Sequence, residues 1–375
     1  MLVLFGKYGG LLRYTAQLAA ALQNHVDVVV IAPFGVQKQH FKEGTRVIEL
    51  NLGFQMEDIV RSLFSSKGSL EFLRVIRREK PDIVHCIDPE ILTGLLLPFT
   101  SGCCRVQTVH DTHPHIGSRR IGQWVALRLS LASADCVIVH GRKSRMELGT
   151  RKVCSIIPMG ALSFPLDASS ENVPEEPTTL LFFGRIEEYK GLDYLIEAVN
   201  EIHEVVPEIK LIIAGGGDFQ RYRKLIRIPE AFEIQNRFID DSEIPLLFRR
   251  AAIVVLPYVE GTQSGIVPIA YAFRKPVIVT DVGDIPEVVE TGVTGIVVKP
   301  ADREALTTAI MKLLENPDLR RSMGENAFRV VTTDLSWEKV AERTIQVYRE
   351  VVGKACRRRR KDDTIGAEEE EIRDT

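Results

Sequence analysis

Residues 180–183 read Leu-Leu-Phe-Phe, and Gly184-Arg185-Ile186-Glu187-Glu188-Tyr189-Lys190-Gly191 then breaks the apolar run before an amphipathic stretch over 192–205. An uninterrupted apolar run of strand length, followed by a helix-period pattern, suits a parallel strand buried on both faces and its crossover helix. The unit points to an α/β domain. Its turn also constrains chemistry. Gly184 and Gly191 let the backbone approach a ligand, Arg185 offers a planar fork to phosphate oxygens, and Lys190 adds a point charge beside a helix N-terminus. The same two cations also suit a solvated loop, so this run alone leaves both readings open.

A second constellation repeats the arrangement. The apolar run 254–256 ends in Pro257-Tyr258-Val259-Glu260-Gly261-Thr262-Gln263-Ser264-Gly265, and a helix is expected to begin near Ser264 or Gly265 with Ser264 as N-cap. Then follow Lys275-Pro276-Val277, Ile285-Pro286-Glu287 and Gly292-Val293-Thr294-Gly295, which read as strand, short helix, turn and strand.

In that order and spacing these segments resemble the C-terminal half of the family 4 (group 1) retaining glycosyltransferases. The match is close over 178–350 and looser before it. The resemblance implies the GT-B fold: two Rossmann-like doubly wound α/β domains facing a cleft, with a nucleotide-diphosphate sugar on the second. It further implies Arg185 and Lys190 on the leaving diphosphate and Glu260 on the sugar hydroxyls. Thr262, Gln263, Ser264 and Gly265 would surround sugar and distal phosphate, with Gly184 and Gly216 at the phosphates and the base near Phe238 and Ile239. Such enzymes retain anomeric configuration with neither cofactor nor metal, and the acceptor would be a glycan, a polysaccharide or a lipid-linked sugar. One position departs from the pattern: Ile269 stands where relatives carry a second glutamate for the ribose. A nucleotide-sugar epimerase of the same architecture and a non-catalytic sugar-nucleotide-binding subunit are the alternatives.

The whole chain agrees with two domains. Its 375 residues, 45% hydrophobic and 26% charged, suffice for two cores. Strands are expected at 2–5, 26–31, 47–50, 83–86, 105–109, 136–139 and 154–157, with helices at 14–23 and 70–79 between them. The first domain is expected over 1–160 and a linker over 161–177, bearing Pro165, Ser169, Ser170, Pro174 and Pro177. The second is expected over 178–336, and by resemblance a helix at 337–352 returns to the first. The segment 354–375, with Arg357 to Lys361 opposed to Glu368 to Glu371, reads as a disordered charged tail.

Two segments of the first half carry further candidates. Gly6-Lys7-Tyr8-Gly9-Gly10 follows the first strand, where Gly9 and Gly10 would approach a ligand across the cleft. No dinucleotide fingerprint or phosphate-binding P-loop accompanies them. In Thr108-Val109-His110-Asp111-Thr112-His113-Pro114-His115, three imidazoles suggest zinc, but no fourth ligand has clear spacing. The resemblance instead sets His110 beside the donor sugar, with His113 and His115 either lining the acceptor side or lying on a loop.

Residues 1–165 hold 20 basic against 13 acidic residues, and the remainder 28 against 38. A basic first domain suits a phosphate-bearing acceptor or an anionic lipid surface, and equally a solvated face. Tyr8 to Tyr14, Arg119, Arg120, Trp124 and Arg128 are the acceptor-side or membrane-side candidates. No apolar run reaches spanning length, and residues 1–5 lack the features of a signal peptide. The six cysteines show no paired spacing. A cytoplasmic protein with a peripheral membrane contact and no nucleic-acid partner is expected.

Overall fold

The computed structural model describes residues 1–51, 66–114, 120–164 and 173–373, with backbone alone at 66–67, 120, 153–154 and 357–373. The expected linker residues 165–172, His115 and Arg119 lie outside the described residues, as does the Arg120 side chain.

Two parallel sheets organise the chain. The first runs in the order β3-β2-β1-β4-β5-β6-β7, from β1 (Leu2–Val3), β2 (Val29–Pro33), β3 (Arg46–Leu50), β4 (Ile83–Cys86), β5 (Cys104–Thr108), β6 (Cys136–Val139) and β7 (Val153–Ile156). The second runs β10-β9-β8-β11-β12-β13, from β8 (Thr179–Phe183), β9 (Lys210–Ala214), β10 (Phe232–Gln235), β11 (Ile253–Leu256), β12 (Val277–Thr280) and β13 (Gly295–Val298). Every pairing is parallel, with β8 flanked by β9 (Leu180↔Leu211) and β11 (Leu180↔Ile253). In each sheet the strand order reverses once, between β1 and β4 and between β8 and β11. A crevice opens at such a reversal beyond the strand C-termini, where ligands of doubly wound sheets bind.

The central strands are apolar throughout because helices cover both faces. Ile253, Val254, Val255 and Leu256 are all fully buried, as are Leu180, Leu181 and Phe182. One connected core takes in both domains, from Leu2 and Leu12 through Leu181 and Leu256 to Val340 and Val347.

The domains are joined by contacts as well as by chain. The last helix, Trp337–Arg373, packs on the first, Gly10–Leu22, and on β5. Trp337 Nε1 donates to the Ala161 carbonyl (2.6 Å), its ring meets Tyr14 edge-on at 5.3 Å, and Tyr348 Oη bonds His85 Nδ1 (2.7 Å). The backbone continues helical to Arg373, where the charge pattern predicts a disordered tail. Extending an established helix by one residue of a good helix former such as Arg, Lys or Glu costs little, unlike starting one. The first helix likewise begins at Gly10, four residues before its expected start, and β2 begins at Val29 because Val26 is solvent-exposed.

Candidate active site

Beyond β8 and β11 lie the two loops singled out by their cations and glycines. They are bound together: Val259 N donates to the Tyr189 carbonyl at 2.8 Å, which ties the Lys190 turn to the Glu260 loop. Lys190 is only 7% exposed, and its ammonium lies 5.2 Å from the centre of the Tyr258 ring. Gly184 stands at φ 118°, a conformation that residues with a Cβ rarely adopt, and its missing side chain leaves Lys190 Nζ free to lie over the turn. Arg185 is exposed and reaches Glu187 Oε1 at 3.0 Å, while the other oxygen of Glu187 is buried without a hydrogen bond among the described residues.

Thr262 and Gln263 follow Glu260. Among the described residues, Thr262 Oγ1 and Gln263 Oε1 are buried and lack hydrogen-bond partners, as does His110 Nε2 across the cleft. Orphaned buried polar atoms are rare in proteins, and a cluster of them marks a place where a ligand supplies the partners. The helix Ile266–Ala272 is capped at Gly265 with no side-chain cap, not at Ser264 as expected; Ser264 Oγ, one residue earlier, accepts from Ile266 N at 3.3 Å. Gly265 precedes that helix. Gly216 sits against the Arg237–Phe238 backbone, with Phe238 exposed and Ile239 buried. Ile269 is buried in the core, with no polar side-chain atom.

From the first domain, Gly9 (φ 79°) and Gly10 open the first helix beyond β1. His110 follows β5, with Nδ1 2.8 Å from His140 Nε2. Burial, then His140, holds its basicity well below that of a free imidazole, against the opposite pull of Asp111. His113 reaches across the cleft: its Nε2 is 3.4 Å from Glu260 Oε1, and its Nδ1 is 3.1 Å from Thr112 Oγ1, which donates to Glu147 (2.6 Å). Among the described residues, no group of three His, Cys, Asp or Glu side chains is arranged to hold a metal ion.

Four carboxylates near the cleft escape sequence reading, while Arg13 lies within the Tyr8 to Tyr14 candidates. Asp88 and Glu90 follow β4, at the reversal of the first sheet. Burial raises the Glu90 carboxyl to about 7, and burial, Glu90 and Asp111 together raise Asp88 well above the usual range. Arg13, brought down to about 10 by burial, pairs with Asp241 of the second domain. Asp284 and Glu287, beyond β12, reach into the first domain to the start of the helix Arg142–Leu148. The signal for the carboxylates was the acids within a few residues of an apolar strand's end, Asp88 and Glu90 after 83–86 and Asp284 and Glu287 after 277–280.

Trp124 is exposed with the Arg128 guanidinium 5.0 Å from its ring centre, and Ile121 beside it is more exposed still. Among the described residues no helix is long and apolar enough to cross a membrane, and the cysteines with described side chains, Cys86, Cys103, Cys104, Cys136 and Cys356, form no disulfide with one another.

Two doubly wound sheets whose switch-point crevices meet at a shared cleft define the GT-B architecture, and known structures agree. The sucrose-phosphate synthase of Thermosynechococcus elongatus superposes with a TM-score of 0.76 at 22% identity, over 94% of this chain and 99% of that one. Anabaena HepE, solved with UDP-glucose, superposes with a TM-score of 0.73 at 17% identity, over 93% and 100%. The family profile "Glycosyl transferases group 1" matches residues 164–330, and "Glycosyltransferase Family 4" matches residues 8–160. An uncharacterized glycosyltransferase of Methanocaldococcus jannaschii is 25% identical over 91% of this chain and 94% of its own length. The chain belongs to the group 1, family 4 glycosyltransferases.

Proposed function

We propose that this glycosyltransferase moves a sugar from a nucleotide-diphosphate donor to a glycan, polysaccharide or lipid-linked acceptor, with retention of anomeric configuration and without a metal or cofactor. The observation that carries the reading is the pairing, at one crevice, of the Lys190 and Arg185 cations with the partnerless Thr262 Oγ1, Gln263 Oε1 and His110 Nε2.

As the bond to the anomeric carbon lengthens, negative charge gathers on the departing diphosphate. Lys190, already stripped of most water, meets that charge at no cost in reorganisation, and Arg185 exchanges Glu187 for a phosphate oxygen. Arg185 is exposed and Glu187 half-buried, so breaking their pair costs on the order of 1 kcal/mol. Glu260 turns from His113 to the sugar hydroxyls, and Thr262 and Gln263 gain the hydrogen bonds they lack. For retention, the acceptor attacks the face the diphosphate leaves, and a donor phosphate oxygen takes its proton. No protein nucleophile is needed. The HepE complex with UDP-glucose makes uridine the first base to try.

A thermal-shift panel of UDP, GDP, ADP and their sugars tests donor binding, followed by transfer to added acceptors. A sugar nucleotide that stabilises the protein and is consumed only with acceptor supports the reading. Interconversion without acceptor would instead indicate an epimerase, and binding without turnover a non-catalytic subunit, the reading that Ile269 favours. We assign the enzyme to the cytoplasm, with Ile121, Trp124 and Arg128 as its peripheral membrane contact.

A further inference from the structure

His140 is not among the residues the reaction above employs, yet it decides what His110 offers to a ligand. His140 Nδ1 lies 2.9 Å from the carbonyl oxygen of Ile157, and His140 Nε2 lies 2.8 Å from His110 Nδ1. A carbonyl oxygen only accepts, so His140 Nδ1 carries a proton. Both rings are almost fully buried, which favours their neutral forms. A neutral His140 protonated on Nδ1 has a bare Nε2, which must accept, so His110 Nδ1 must donate to it. A neutral His110 protonated on Nδ1 then has a bare Nε2 of its own.

That last atom is buried with no hydrogen-bond partner among the described residues. The Ile87 carbonyl near this ring is an acceptor that would draw a proton onto it, and so competes with the tautomer that the Ile157–His140 pair imposes. Tyr14 stands edge-on to both imidazoles, 4.9 Å from His110 and 5.9 Å from His140, and restricts their rotation. The chain thus presents, at the C-terminal end of β5, a fixed acceptor that only a hydrogen-bond donor can satisfy.

We propose that His140 is a positioning residue that locks His110 in its Nδ1–H tautomer, so that His110 Nε2 accepts a hydrogen bond from one hydroxyl of the donor sugar. Specificity follows: a sugar lacking that hydroxyl leaves the acceptor unpaired and is rejected. This rests on the reading of the cleft as a sugar-nucleotide site.

Long-range ¹⁵N–¹H correlation spectra of the full-length, histidine-labelled protein near neutral pH report the tautomers directly, with assignments from His110→Phe and His140→Phe. Nδ1–H signals from both His110 and His140 are expected, and an Nε2–H His110 overturns the proposal. Calorimetry with UDP-glucose, GDP-mannose and their monodeoxy forms reads the specificity. One deoxy position is expected to weaken binding about tenfold or more in the wild type and in His140→Gln, whose side-chain oxygen still accepts from His110. In His140→Phe the same penalty should fall below about twofold. Equal penalties in all three proteins, or none in the wild type, refute the role. If His140→Phe does not fold, the wild-type spectrum and His140→Gln decide. If neither sugar nucleotide binds at all, the donor-site reading fails together with the specificity arm, while the spectrum still decides the tautomer.

Discussion

Asp284 and Ser144 join the two domains through one carboxylate: it accepts from the Ser144 backbone N–H at 3.0 Å and, through its other oxygen, from the Ser144 hydroxyl. Beside it, Glu287 Oε1 accepts from Arg142 N at 2.7 Å and Lys143 N at 3.3 Å. The free N–H groups at the start of the helix Arg142–Leu148 are thus capped by side chains of the other domain, a use of capping that ties helix stability to domain closure.

Asp284→Ala should therefore loosen closure without unfolding either sheet. We expect a loss of about 1–3 kcal/mol, a larger radius of gyration by small-angle scattering, and a raised donor KM. Gly141→Ala should do the same by crowding, since a Cβ there would come 2.2 Å from Asp284 Cγ while the extended backbone itself tolerates alanine. Scattering profiles identical to wild type for both variants would refute the latch.

Arg185→Ala and Lys190→Ala should each lower kcat by about 10²–10³-fold. Arg185 is so exposed that its removal should leave the melting temperature unchanged. Steady-state kinetics beside thermal melts separate this from misfolding, and near-normal turnover in both would remove the cations from the mechanism.

Acid should destabilise the protein through its buried histidines. Burial, with the N-terminal ammonium adding to it, brings His85 down to about 3, and His110 and His140 also lie below the free value. Their folded forms resist a proton that the unfolded chain accepts near 6.5. Stability is complete above about 6.5 and falls as pH drops toward 3, by about 2 kcal/mol at pH 5 for a group shifted as far as His85. Urea titrations at stepped pH check this, with His85→Gln flattening the slope. A slope unchanged by that substitution would contradict it.

Glu90 has the opposite dependence. Its carboxyl is raised to about 7, so its neutral form suits the fold, and stability present below about 4.5 is lost as pH rises through 7. Glu90→Gln should gain stability at pH 8 and none at pH 4. Melting curves at the two pH values measure the difference.

Most of this architecture was legible because parallel strands buried on both faces announce themselves. The runs at 83–86 and 136–139 became β4 and β6 with unchanged bounds. The Gly6 to Gly10 run reads as a glycine turn that opens a helix, and the helix does begin there, at Gly10, with the buried Leu12 packing its first turn into the core. The cation loops could be found because their chemistry is local in sequence. The His85–Tyr348 bond spans 263 residues, and the Asp284 cap spans 140, so local sequence does not show which residues pair. His140 did leave a trace: it ends an apolar strand as His110 ends the neighbouring one, and parallel neighbours bring such ends side by side.

Because the terminal helix leaves the second domain to pack on the first, the polypeptide passes between the lobes twice, once on each journey. Two tethers restrict relative motion to something nearer a door on a pair of hinges than a ball on a string. They also mean that a fragment cut after the first seven strands would lose the partner of His85 and the tryptophan against Tyr14, so neither lobe is a module to be expressed alone.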